Sequence, residues 1–308
     1  MGKIAFVFPG QGSQSVGMGL DVYKNFEEAR EIYNGANGAF GKKMDILCFE
    51  GPDLDLKKTI NSQPAILTTS IAVLHAFKTV SKITPDYVAG HSLGEYAAFY
   101  EAGVLSLNDT FKLIQKRAEA MSKVQGGAMA AVLALSDKEV KEILSNIKSG
   151  YVDIANYNCP GQVVITGEDG AVKDASELLL GAGAKRVIPL AVSGAFHSNM
   201  MKGASEEFEK VLEKVEINNS RIPVVTNFDA QITLDARDFR EKMPKQIYSS
   251  VKWSQSVQKM IDEGVDTFIE IGNGKVLSGL IKKINSEVKV YNVNDSKSIE
   301  EVSRLIRE

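Results

Sequence analysis

The chain is short of the residues that mark several common protein classes. Among its 308 residues there are only two cysteines, Cys48 and Cys159, and only three histidines. Two cysteines so far apart build neither a disulfide framework nor a metal-ligand spacing, so reduced thiols in a cytoplasmic protein are expected. No apolar run approaches the ~18 residues of a membrane span, so no membrane insertion is expected. Basic residues are not in excess: 36 Lys and Arg against 39 Asp and Glu give a net charge of −3. With no basic stripe and no aromatic-basic interleaving, nucleic acid is not an expected partner. The opening Met1-Gly2-Lys3-Ile4-Ala5-Phe6-Val7-Phe8 is too short, and too soon broken by Pro9-Gly10, to be expected as a signal peptide; Phe6 stands where myristoylation needs Ser or Thr. There is no internal repeat and no low-complexity tract. What remains, 44% hydrophobic and 24% charged, is ordinary for a soluble globular chain with one large domain and a smaller one.

The stretch that organises the sequence is Tyr87-Val88-Ala89-Gly90-His91-Ser92-Leu93-Gly94-Glu95-Tyr96. A short apolar run enters Gly-x-Ser-x-Gly, and a helical pattern follows at once. That is strand, tight turn, helix, with a serine exposed at the carboxyl end of a strand, as in a nucleophile elbow. Ser92 also falls at a helix N-terminus, where free N–H groups and the helix dipole favour negative charge. An N-cap serine after a glycine turn would give the same short motif without chemistry. A second glycine-rich turn, Pro9-Gly10-Gln11-Gly12-Ser13-Gln14, follows the first strand. Ser15 stands where the third glycine of a dinucleotide fingerprint belongs, so that reading is set aside.

Helical patterns are expected from Val22 to Ala39, Gln63 to Val80 and Ser106 to Val124. From Ala128 to Leu190 the order is strand, helix, strand, strand, helix, strand, with a turn at Asn158-Cys159-Pro160-Gly161. This is the ferredoxin-like plan. Helix and strand alternation then resumes, ending with a helix from Ser298 to Ile306. The fold class expected is α/β: a large α/β-hydrolase-like domain with a mostly parallel sheet, residues 1–125 and 195–308, and a small inserted ferredoxin-like subdomain, residues 126–194.

A serine hydroxyl needs a base. His75 lies in a helix among Ile71, Val73, Leu74 and Phe77 and reads as structural. His91 adjoins Ser92, and neighbours on a sharp turn point in different directions. His197 is left, in Gly194-Ala195-Phe196-His197-Ser198, where the small unit returns the chain to the large one. No acid declares itself between Ser92 and His197 as the third member of a triad. A backbone carbonyl could orient the imidazole instead.

These residues, with Arg117, Asn158-Cys159-Pro160-Gly161-Gln162-Val163-Val164 and Gly272-Asn273-Gly274-Lys275-Val276-Leu277, together resemble the malonyl-CoA:acyl-carrier-protein transacylases of bacterial fatty-acid synthesis. The resemblance runs from Phe6 to about Leu280. It implies that Ser92 carries the malonyl group as an ester and that His197 is general base and then general acid. It further implies an oxyanion hole from the N–H groups of Gln11 and Leu93, and Arg117 as the two-pronged partner of the free malonyl carboxylate. Asn158 would line the cleft, the carbonyl of Gln246 would orient His197, and Phe196 would crowd an α-methyl group. Gly194 departs from the histidine that related malonyl-selective polyketide acyltransferases often carry. No metal or cofactor is implied. Malonyl-CoA and an acidic acyl carrier protein are the implied partners, the latter on a basic patch drawn from Lys185, Arg186, Lys202, Lys275, Lys282 and Lys283. A monomer is expected, since no coiled coil or extended apolar face stands out. Alternatives are a free-standing acyltransferase of a polyketide synthase, a serine esterase or thioesterase, and a non-catalytic binding protein. Arg117 speaks against the hydrolases, whose apolar acyl chains would leave its charge unpaired.

Overall fold

The computed structural model describes residues 2–192 and 194–305. Ile306, the expected end of the last helix, lies outside the described residues, as does Ser193.

The first strand, β1 (Lys3–Phe8), is buried on both faces after its first residue, as a strand inside a parallel sheet must be. Its neighbours are β2 (Tyr87–Gly90) and β9 (Val265–Ile271); outward of these lie β7 (Val224–Val225) with β8 (Ile232–Thr233), and β10 (Lys289–Val293). The order is β10-β9-β1-β2-β7-β8. Every pairing is parallel except the antiparallel pair β7–β8. Alternation along β1 divides the core. Ile4, Phe6 and Phe8 face a large layer that includes the helices Thr59–Val80 and Leu107–Lys123. Ala5 and Val7 face a smaller layer with Trp253, Val257, Leu277 and Ile281. Phe8 stands opposite Gly90 in the ladder. The loop after β1 and the turn after β2 therefore leave the same edge side by side, at the carboxyl ends of parallel strands, where open α/β sheets place their sites.

The second sheet is antiparallel, with the order β4-β5-β3-β6, from β3 (Ala128–Leu133), β4 (Val152–Cys159), β5 (Gln162–Gly167) and β6 (Arg186–Pro189). The helices Asp137–Ser145 and Asp169–Gly181 cover it, and it has its own core around Val132, Val140, Ile154, Ile165 and Leu179. Ser136 and Glu139 form a reciprocal capping box on the first of these helices. Backbone hydrogen bonds also join β4 to the segment just after the helix Ala236–Tyr248. Val251 lies parallel to Asn156, with Tyr157 N–H donating to the Val251 carbonyl at 2.9 Å and Val251 N–H to the Ala155 carbonyl at 2.8 Å.

Three local expectations change. The single helix from Val22 to Ala39 is two, Leu20–Asn25 and Glu27–Phe40, because Phe26 between them is extended at φ −128° and ψ 128°. The helix expected from Gln63 begins four residues earlier, as Thr59–Val80. The turn expected over Asn158-Cys159-Pro160-Gly161 narrows to Pro160-Gly161, because β4 continues to Cys159 and pairs it with Gln162. Short helices at Met44–Glu50 and Asp53–Leu56 were not expected.

Candidate active site

The turn after β2 has the geometry its glycines require. A Cβ on Gly90 would sit 2.0 Å from the Gly94 carbonyl carbon, and one on Gly94 would sit 2.2 Å from the Phe8 carbonyl oxygen. Both positions exclude any larger residue, and the second presses the elbow against the loop that carries Gln11. Ser92 itself adopts φ 53°, a left-handed conformation costly for a residue with a Cβ and frequent at strained functional turns. A 3₁₀ turn, Ser92–Gly94, then leads into the helix Glu95–Glu101.

Ser92 Oγ lies 2.8 Å from His197 Nε2. The other ring nitrogen, Nδ1, lies 2.9 Å from the Gln246 carbonyl oxygen. A carbonyl only accepts, so the ring proton resides on Nδ1, and Nε2 is left bare to take the serine proton. The Gln246 carbonyl is free for this task because it belongs to the last turn of the helix Ala236–Tyr248, where carbonyls lack intrahelical partners. Burial, then the positive charge of Arg117, pull the His197 pKa down to about 3. The imidazole is therefore neutral, the form a base must have.

Arg117 is buried within the stripe Thr110, Leu113, Ile114, Arg117, Met121 of the helix Leu107–Lys123. One terminal nitrogen donates to Gln63 Oε1 at 2.6 Å; the other donates to Ser92 Oγ at 3.1 Å and to Gln246 Oε1 at 2.9 Å. Its Nε has no hydrogen-bond partner, and among the described residues no carboxylate pairs with the guanidinium. A buried cation without a counter-ion is costly unless a ligand supplies one.

These groups open on a cleft of about 280 Å³ lined by Gln11, Ser92, Arg117, Phe196, His197 and Asn156, among others, from both units of the fold. Leu93 is buried behind Ser92. The loop and turn hydrogen bonds leave the main-chain N–H of Gln11 and of Leu93 without a protein acceptor among the described residues. Asn158, expected along the cleft, is instead engaged by His91, whose Nε2 lies 3.0 Å from Asn158 Oδ1; Asn156 is the residue of β4 that lines the cleft. His91 is itself held edge-on against Trp253, and burial lowers its pKa. His75 bonds the Tyr100 hydroxyl at 2.8 Å, away from the cleft. Sequence reasoning missed Gln63, the Gln246 side chain and Asn227. Amide side chains carry no motif, and these meet Ser92 or Arg117 only in space. For Arg117, its place on an apolar stripe at three- and four-residue spacing was the available signal of burial.

The model for the acyl transferase domain matches residues 5–308. The chain belongs to the acyl transferase family. Within that family it is 46% identical over 313 residues to the malonyl CoA-acyl carrier protein transacylase of Bacillus subtilis, covering 100% of this chain and 98% of the relative. Its backbone is similar to the crystal structure of malonyl CoA-acyl carrier protein transacylase from Clostridium perfringens, with a TM-score of 0.95, 40% identity, and 99% and 97% of the two chains covered. It is equally similar, at TM-score 0.95 and 35% identity over 99% and 100% of the chains, to a malonyl-transacylase solved with a type II polyketide acyl carrier protein. One cleft thus brings together a serine, a histidine kept neutral by burial and a buried arginine. Among the described residues no group of three or more His, Cys, Asp or Glu could hold a metal, and no helix is long and apolar enough to cross a membrane.

Proposed function

We propose that this acyltransferase moves a malonyl group from malonyl-CoA to the phosphopantetheine thiol of an acyl carrier protein, through an ester on Ser92. The observation that carries the reading is the hydrogen-bonded line Ser92 Oγ, His197 Nε2 and Nδ1, Gln246 carbonyl, with the unpaired Arg117 guanidinium on the same serine oxygen. The malonyl carboxylate binds Arg117, as a planar guanidinium suits it and a lysine would not equally. That contact places the thioester carbonyl over Ser92. Ser92 Oγ attacks, and His197 Nε2 takes its proton while Nδ1–H stays on the Gln246 carbonyl. The Gln11 and Leu93 N–H groups receive the oxyanion; in comparable enzymes one such donor is worth ~10²–10³ in rate. The C–S bond breaks, and His197 returns the proton to the CoA thiolate. The carrier thiol then enters, gives its proton to His197 and attacks the ester; the C–Oγ bond breaks, and His197 returns the proton to Ser92 Oγ.

Phe196, buried beside His197, crowds an α-methyl group and favours malonyl over methylmalonyl. We take the larger unit as α/β-hydrolase-like, residues 1–125 and 195–308, and the smaller as ferredoxin-like, residues 126–194; the strand order of the antiparallel sheet supports the latter. A cytoplasmic monomer fits this role. Of the basic candidates for the carrier surface, Lys282 spends its ammonium on the Ser286 and Val288 carbonyls, and Lys283 reaches Gln162 across to the small unit. Lys185, Arg186, Lys202 and Lys275 are exposed and remain the proposed patch. A polyketide pathway is the second reading, favoured by the relative solved with a polyketide carrier protein.

The test is steady-state kinetics with both substrates varied. Parallel double-reciprocal lines for malonyl-CoA and carrier protein are expected. Intersecting lines would require both substrates on the enzyme at once and would overturn the ester intermediate. Comparing fatty-acid and polyketide carriers by kcat/KM separates the two pathways.

A further inference from the structure

Asn227 lies fully buried just beyond β7, 135 residues from Ser92 in the chain. Its side chain does not line the cleft, yet it touches the elbow on both sides of His91, up to the serine's own N–H. Asn227 Oδ1 accepts the Ser92 N–H at 2.7 Å, and Asn227 Nδ2 donates to the Gly90 carbonyl at 2.7 Å. The asparagine is itself anchored at both ends of its backbone. Its N–H donates to Glu95 Oε1 at 2.6 Å, and its carbonyl accepts from Lys252 N–H at 3.0 Å.

We propose that Asn227 is a positioning residue for acyl transfer: its amide clamps the elbow from behind and fixes the directions of Ser92 Oγ and of the following N–H. Ser92 holds φ 53°, a conformation its own side chain disfavours, so something outside the turn must maintain it. The Ser92 N–H faces the buried side and Oγ the cleft. Loss of the buried acceptor leaves that N–H unsatisfied, and the turn recovers it only by rotating. Rotation swings Oγ off His197 Nε2, which now lies at 2.8 Å, and turns the Leu93 N–H with it. The clamp needs one acceptor and one donor on a rigid plane. Asparagine supplies both. Aspartate supplies the acceptor alone and sets a carboxylate oxygen against the Gly90 carbonyl. Alanine supplies neither.

The proposal rests on Ser92 being the acylated residue. Its test compares the parent with Asn227→Ala and Asn227→Asp, each labelled to completion with a fluorophosphonate to count folded sites. The rate of Ser92 malonylation per labelled site is then measured by rapid quench, along with KM for malonyl-CoA. A displacement of the nucleophile of about 1 Å costs on the order of 10²-fold. Asn227→Ala is expected to lose about that much in rate per site with KM unchanged, and Asn227→Asp to recover part of it. Parent-like rates per site overturn the proposal, as does a loss that resides wholly in the number of labelled sites. If Asn227→Ala does not fold, Asn227→Asp decides: it must be slower per site at unchanged KM. A parent that takes no malonyl group would sink the ester reading, whereas a parent that acylates beside an equally fast variant sinks only the clamp.

Discussion

The depressed pKa of His197 makes a direct prediction about pH. Burial is its first cause and the Arg117 charge its second, and together they bring an imidazole from the ordinary 6.5 to about 3. At pH 5 an ordinary imidazole is about 97% protonated, and a reaction that needs the neutral form runs about 30-fold below its plateau. With the pKa about 3, only about 1% is protonated at pH 5, and acylation by malonyl-CoA keeps its plateau value. The assay is kcat/KM for malonyl-CoA between pH 5 and 8, which reports the free enzyme. A half-point near 6.5 would refute the burial argument. Arg117→Met should move the acid limb upward, but only part-way, because burial remains. The same shift bears on stability. Between about pH 3 and 6.5 the unfolded chain binds a proton that the folded His197 does not, so His197 makes stability rise with pH across that window.

Arg117→Lys removes the planar two-pronged contact while keeping a charge; kcat/KM for malonyl-CoA should fall about 10- to 100-fold, with acetyl-CoA much less affected, and an equal fall for both would place Arg117 outside acyl recognition. Phe196→Ala opens the pocket edge and should improve methylmalonyl-CoA relative to malonyl-CoA, within the ~1–3 kcal/mol that one methyl is worth. An unchanged ratio would relieve Phe196 of that role. Glu95 is buried, and burial lifts its pKa to about 8. Its folded pKa is raised, so the folded state loses stability relative to the unfolded chain as pH rises from about 4.5 through 8. Glu95→Gln keeps an acceptor for Asn227 N–H and lacks this loss. Its melting temperature relative to the parent should therefore climb between pH 6 and 9, and a constant offset would contradict the shift.

The elbow was legible because all its determinants are local: an apolar strand, glycines two residues either side of Ser92, and a helical pattern at once after. His197 was legible through scarcity, since a chain with three histidines offers few bases. The groups that tune these two were not. Gln63, Asn227 and Gln246 lie 54, 135 and 129 residues from their partners Arg117, Ser92 and Arg117, and neither period nor motif marks an amide. The interruption at Phe26 was hidden for a related reason. Apolar spacing reports which face is buried, and both Leu20–Asn25 and Glu27–Phe40 bury theirs, so the spacing runs on while the backbone does not. Asn156 and Asn158 fall on one strand with register shifts between them and their neighbours. Asn156 is the one that lines the cleft, while Asn158 bonds His91.

The central claim is that Ser92 carries the acyl group, and intact-protein mass tests it most directly. The parent, mixed with malonyl-CoA, should gain one malonyl group that holo acyl carrier protein then removes, and Ser92→Ala should gain none. A folded parent that gains nothing, or a Ser92→Ala variant that gains the same group, would contradict it.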